Sequence, residues 1–153
     1  MNIQKFTQKS IEAINNTEKL VYEYGNQEME QEHMMLALVT QEDGLIPKLI
    51  KKMEIDLEHF TSNVKSKGDA RTKVSGDGQI YMGKDLNNAL IHAEDVAKNM
   101  GDEYVSVEHI FLSIIKHPNR AIKELFKEYG ITRDRFLKVL SDVRGNVRVT
   151  SDN

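Results

Sequence analysis

The chain has no cysteine among its 153 residues. That excludes a disulfide framework and any zinc site built on thiolates. It has no tryptophan, only two prolines (Pro47 and Pro118), and 7% aromatic residues. So little proline leaves long stretches free to run as helix. No apolar run approaches the roughly 20 residues that cross a bilayer, so no membrane partner is expected. There is no strong excess of either charge: 21 Lys and Arg against 24 Asp and Glu give −3. A basic field that would recruit nucleic acid is therefore lacking. The GxxxxGK[ST] pattern of a phosphate loop is missing, and VSGDGQIYMGKD does not supply it. The opening MNIQKFTQKS lacks the charged-then-apolar layout of a secretory signal, and the expected location is the cytoplasm. At 39% hydrophobic and 29% charged, the composition is that of an ordinary globular protein with a core.

What is present is a repeat. EHMMLALVT begins at Glu32 and EHIFLSIIK at Glu108, 76 positions on. The same shift places Ala13 on Ala89, Glu18 on Glu94, Gly25 on Gly101, Leu36 on Leu112 and Ile46 on Ile122. It also places Leu49 on Leu125, Ile55 on Ile131 and Phe60 on Phe136, without a gap. Register kept over some sixty residues marks an internal duplication.

Each copy reads as four helices. Leu86, Leu90, Ala93, Ala97 and Met100 recur at steps of four and three, which is one helical face. Gly101 follows as a stop, and Gly25 is its counterpart. Ser106 is the candidate cap of a second helix that is apolar on nearly every side and so belongs in the middle of its bundle. Asn119 and Thr132 open the third and fourth helices, and Asp56 does so in the first copy. The expectation is an all-α fold, two pseudo-symmetric four-helix repeats packed into one domain over residues 1–144. Repeat one covers 5–66, a glycine-rich linker 67–83 and repeat two 84–144. The GQIY stretch in the linker is a candidate short strand. Residues 145–153, polar and without a partner in the repeat, read as the start of a connection to a further module.

Paired four-helix repeats, each with a Glu-His-apolar second helix, resemble the Clp N-terminal domain that heads ring-forming AAA+ unfoldases. The resemblance covers about the whole chain, from FTQKS through ITRDRFLKVLSDV. The ending VRGNVRVTSDN is most similar to the ClpB disaggregase branch. The resemblance implies a domain that engages unfolded or aggregated polypeptide and passes it to an ATPase ring. No enzymatic activity and no cofactor are implied for the domain itself, with ATP and magnesium left to absent modules. The parent would be hexameric and work with a DnaK-type chaperone, and the isolated domain would be monomeric. A ClpC-type domain that docks an adaptor is the alternative.

By the resemblance, Glu108, Asp102 and Thr7 are client-binding residues, and Glu32 joins them as the ClpC-type counterpart of Glu108. ClpC-type domains hold phosphorylated arginine with such glutamates and a nearby threonine. Here the counterpart of Thr7 is Gly83, so one of two such pockets lacks its hydroxyl. The residues also carry a plainer reading. A glutamate in a helix's first turn opposes the macrodipole and stabilises by roughly 0.3–1 kcal/mol. Thr7 is an N-cap by type and place, and Asp102 is loop chemistry. As candidates for client contact both glutamates are expected to be exposed. Phe6, Tyr81, Met82 and Tyr104 flank helix starts and are candidates for an apolar client surface, or for plugs of the bundle ends.

His33 and His109 do not form an HExxH pair, since each motif supplies one imidazole. Each is expected to be a partly buried histidine bonded to a carbonyl or carboxylate. His59, His92 and His117 are expected to form no cluster, and no other constellation suggests acid–base work.

Overall fold

The computed structural model describes residues 1–74, 78–145 and 147–153. After a short 3-10 turn (Ile3–Lys5), repeat one holds α1 (Gln8–Glu23), β1 (Glu28–Met29), α2 (Gln31–Val39), α3 (Leu45–Lys52) and α4 (Leu57–Asp69). Repeat two holds β2 (Tyr81–Met82), α5 (Lys84–Asn99), α6 (Val107–Lys116), α7 (Arg120–Tyr129) and α8 (Arg133–Arg144). The fold is all-α apart from two two-residue strands, the second of which begins at the end of GQIY.

The caps sit where hydroxyl, carboxylate and carboxamide side chains fall. Thr7 accepts from Ser10 N at 3.2 Å, Asp56 from His59 N at 3.1 Å, Asn119 from Ile122 N at 3.0 Å and Thr132 from Arg135 N at 3.2 Å. Each satisfies an amide that the first helical turn leaves without a partner. The first helix of each copy ends at a glycine of positive φ, Gly25 at 67° and Gly101 at 76°.

α2 and α6 form the centre. Every residue of α2 is buried, and α6 is buried from Val107 to Ile114. α1 and α4 pack on α2, and α5 packs on α6, while α3 reaches across to α6 and α8. Phe111 of α6 stacks on Phe136 of α8 at 4.5 Å between ring centroids and leans on Phe126 of α7 at 5.5 Å. One cluster runs through both repeats, from Phe6 to Leu140, so neither half has a core of its own.

The repeats also exchange strands. β1 pairs in parallel with β2, Glu28 opposite Tyr81 and Met29 opposite Met82. The related contact is the parallel bridge between Phe6 and Val105. Under the 76-residue shift Phe6 corresponds to Met82 and Val105 to Met29, so the two pairings are one contact written twice. The chain just before the first helix of each repeat lies against the chain just before the second helix of the other. That pseudo-twofold crossing decides where the candidate site falls.

Two expectations need correction. α4 does not end at 66 but continues to Asp69. Gly68, which read as linker, is a buried helical position with the Tyr24 ring against it. A methyl there would meet that ring at 3.3 Å. Of the two readings open for Phe6 the structure fits the plug, since it is 1% exposed and part of the core. Residues 147–153, expected to lead away, instead lie back against Glu103 of repeat two and Gln8 at the start of α1.

Candidate functional site

The functional chemistry collects at the starts of α2 and α6. Each opens with a capping box in which histidine takes the third helical position. Glu30 N donates to His33 Nδ1 at 3.0 Å, and Ser106 N donates to His109 Nδ1 at 2.8 Å. A ring nitrogen that accepts carries no proton, so the proton is on Nε2. Nε2 of His33 donates to Asn26 Oδ1 at 2.9 Å, and Nε2 of His109 to Asp102 Oδ2 at 2.7 Å. Both rings are wholly buried. Burial pulls the His33 pKa down to about 4, with the Arg71 charge helping. Burial likewise lowers that of His109, against the pull of Glu108 and Asp102. Both imidazoles are therefore neutral structural links, and the His109–Asp102 contact is a hydrogen bond to a carboxylate. The expected carboxylate or carbonyl partner is present in each copy, and the rings are fully rather than partly buried.

Glu32 and Glu108 were expected at the surface and are not there: they are 4% and 3% exposed. The cause is an arginine brought over each from the end of its own repeat. Arg71 Nη1 donates to Glu32 Oε2 at 2.8 Å, and its other arm reaches Glu28. Asn119 Nδ2 fills the second Glu32 oxygen at 2.7 Å. Arg144 faces Glu108 at 3.6 Å and donates to Asp102. Where repeat two supplies Asn119, repeat one offers Asp43, which has no proton to give. Accordingly Glu108 Oε1 and Arg144 Nη1 are buried without a hydrogen-bond partner among the described residues. For Asp102, burial alone would raise the pKa. Hydrogen bonds from the Val149 amide, Arg144 and His109 outweigh burial and hold the group below its ordinary value.

Position 83 answers for the missing hydroxyl. Glu30 reaches across to α5 and accepts from Leu86 N at 2.8 Å and Asp85 N at 3.2 Å, besides its own neighbour Gln31 N at 3.1 Å. It caps another repeat's helix. A Cβ at Gly83 would stand 2.5 Å from that carboxyl, so any larger residue there would have to push Glu30 off its three amides. In the related corner the short Ser106 leaves room for Thr7. Burial pushes the Glu30 pKa up to about 7, against the lowering effect of the Leu86 and Gln31 amides.

Thr7 and Asp102 both come to the Val105 segment, but they line different cavities. Thr7 N donates to Val105 O at 3.0 Å, and Thr7 lines a space of about 360 Å³ with Gln41, Ser106 and Val107. Asp102 and Tyr104 line another of about 760 Å³ with Lys5 and Glu94. Between the repeats a polar groove of about 900 Å³ is lined by Glu28, Glu32, Arg71, Tyr81 and Asn119. Of the aromatic candidates Tyr81 is 53% exposed and Tyr104 partly so. His92 and His117 stack at 4.5 Å, while His59 lies elsewhere, against Tyr129. Among the described residues no group of three or more acidic or imidazole side chains is placed to hold a metal. No helix among them is long and apolar enough to cross a membrane.

The model of the Clp repeat (R) N-terminal domain matches residues 5–129. The chain belongs to the Clp repeat N-terminal domain family. The relatives of this Clp domain include chaperone protein ClpB of Nitratidesulfovibrio vulgaris, 41% identical over 158 residues, and that of Clostridium tetani, 38% identical over 157. Each match takes in 100% of this chain and 18% of the relative. The chain thus spans under a fifth of the length of these chaperones. Among solved structures it is similar to the Hsp104 N-terminal domain from Candida albicans, with a TM-score of 0.82 and 22% identity over 97% of both chains.

The residues that the sequence reading missed are Asn26, Glu30, Arg71 and Arg144. Arg71 and Arg144 stand 73 apart rather than 76, which hides them from the repeat. Asn26 and Asp102 do obey the shift, and so does the exchange of Glu30 with Gly83 for Ser106 with Thr7.

Proposed function

We propose that this domain is the client-recognition module of a ClpB-type ATP-dependent disaggregase, which engages unfolded or aggregated polypeptide and passes it to an ATPase ring. The observation that carries the reading is the match of the entire chain to the N-terminal region of ClpB chaperones. A further support is a fold relative, 16% identical with a TM-score of 0.74, described as the ClpV N-domain in complex with a VipB peptide. In this reading the domain binds and does not catalyse. ATP, magnesium, a DnaK-type partner and a hexameric ring belong to the longer protein, whose work is in the cytoplasm.

The roles divide by exposure. Tyr104, half-buried at the mouth of the repeat-two cavity, touches the client, and Asp102 beside it is buried and reached only at the place that the Val149 amide now takes. Thr7, Glu32 and Glu108 are positioning residues: they cap a helix or anchor an arginine that shapes the groove walls. Contact through a small polar and aromatic rim gives weak affinity for any one segment, and six copies on a ring compensate by multivalency.

The test is an anisotropy titration of the chain with labelled, reduced and carboxymethylated α-lactalbumin. Tyr104→Ala is expected to weaken binding several-fold, by about 1 kcal/mol, with melting unchanged. Loss of melting temperature without loss of affinity would make Tyr104 structural. The ClpV–VipB complex favours a second reading, an adaptor-docking surface. A native helical partner peptide that binds where the unfolded probe does not would select it.

A further inference from the structure

The last residues of the chain are held in an unusual way. Val149 O accepts from Glu103 N at 2.8 Å, and Val149 N donates to Asp102 Oδ1 at 2.9 Å. Three residues on, Asp152 O accepts from Gln8 N at 2.7 Å, at the first turn of α1. Asn153 adds a side-chain bond to Gln8 at 3.3 Å. The segment is thus gripped through its main chain at Val149 and Asp152, beyond the turn that ties Val147 to Arg144. Several of its side chains face solvent: Val147 is 69% exposed, and Thr150 through Asn153 are exposed, while Val149 is half-buried. Beneath it remains the cavity of about 360 Å³, walled by Thr7, Gln41, Ser106 and Val107 on one side and by the tail itself on the other. Gln41 Oε1 is buried in that wall with no hydrogen-bond partner among the described residues.

A covering segment that packed for stability would fill the space and bury its apolar side chains. This one leaves the space open and Val147 in solvent. It occupies donors and an acceptor that any extended polypeptide satisfies, whatever its sequence, since every non-proline residue offers one N–H and one C=O. Repeat one makes the related contact with a different sense. There the connector after α4 gives Thr72 O to Asn26 Nδ2 at 2.9 Å and Val74 N to Gly25 O at 2.8 Å. Asn26 donates where Asp102 can only accept. The repeat-two site is therefore set to take an amide at Asp102 and carbonyls at Glu103 N and Gln8 N.

We propose that the groove between Asp102–Glu103 and the start of α1 is a capture site for extended polypeptide main chain, and that residues 147–153 are its resident occupant, displaced when a client segment binds. The proposal rests on the client-recognition reading and adds the site, the mode and the competitor. Gly145, at φ 58° with nothing within 4 Å of a would-be Cβ, is the pivot on which the tail leaves.

The test uses the full chain with Val149→Pro, which deletes the amide donated to Asp102 at a half-buried position of the tail. Hydrogen exchange at the Gln8 and Glu103 amides reads tail docking. Anisotropy with carboxymethylated α-lactalbumin reads capture, and the free peptide VRVTSDN serves as competitor. The expected result is faster exchange at both amides, affinity for the probe raised roughly five- to tenfold as the competent fraction rises, and reversal by the peptide. Faster exchange with probe affinity unchanged in Val149→Pro would overturn the competition. Fast exchange at Gln8 and Glu103 in the unaltered chain would overturn the docking itself. If neither form binds the probe while exchange still rises on substitution, the client reading fails and the capture site falls with it, although the docked tail stands.

Discussion

Glu30 and His33 lie three positions apart and titrate in opposite senses. Glu30 has its pKa raised from 4.5 to about 7 in the fold, and His33 has its lowered from 6.5 to about 4. Between pH 4.5 and 6.5 the folded chain keeps the Glu30 proton that the unfolded chain has lost. It lacks the His33 proton that the unfolded chain has gained. Glu30 therefore makes stability fall as pH rises through this window, and His33 makes it rise, so the two cancel. Replacing Glu30 with Gln removes only the first. Denaturant titrations of Glu30→Gln from pH 4.5 to 6.5 are expected to show stability climbing with pH more steeply than in the unaltered chain, by about 1.4 kcal/mol per unit. Equal slopes would mean that Glu30 is ionised in the fold. Arg144 is the other single residue on which much depends, because it neutralises two buried carboxylates at once. Arg144→Ala is expected to cost about 3–5 kcal/mol in chemical denaturation. A loss below 1 kcal/mol would show that Asp102 and Glu108 find other partners.

At the level of the helices, the duplication itself suggests a repair. Repeat two ends α7 at Gly130 with φ 66°, while the related residue in repeat one is Glu54 with φ 62°. A side chain in the left-handed region costs roughly 1 kcal/mol. Glu54→Gly is thus expected to stabilise by about 0.5–1 kcal/mol, read as a higher melting temperature. A lower one would mean that the glutamate side chain contributes more than the strain. The helices, their caps and the central place of α2 and α6 were legible from periodicity, because burial of an entire helix leaves an apolar run that local sequence displays. The ends were less legible. Gly68 looked like linker because its reason for being glycine, the ring of Tyr24, comes from another helix. The burial of Glu32 and Glu108 was not legible at all. It depends on arginines 39 and 36 residues further along, which only the folded chain brings near. The tail's return onto Asp102 and Gln8 was hidden for the same reason.

Across the whole molecule, the strand exchange makes each repeat complete the other's corner, and one core spans both. Phe111, packed between Phe126 and Phe136, sits at the middle of that core. Phe111→Ala is expected to cost about 3–5 kcal/mol and to melt both repeats in a single transition. Two transitions would show that the halves fold separately. The same crossing makes the corners chemically unequal. Glu30 with Gly83 fills one, while Thr7 with Ser106 leaves a space in the other that the tail only roofs. If the domain recognises unfolded chains, the unequal corner is where they enter. The direct test is an NMR titration of the isotopically labelled domain with carboxymethylated α-lactalbumin, following every backbone amide. Shifts should concentrate at Gln8, at Asp102 to Ser106 and in residues 147–153, and saturate together. Shifts confined to the outer faces of α4 and α8, or none at any probe concentration, would contradict recognition of polypeptide at this corner.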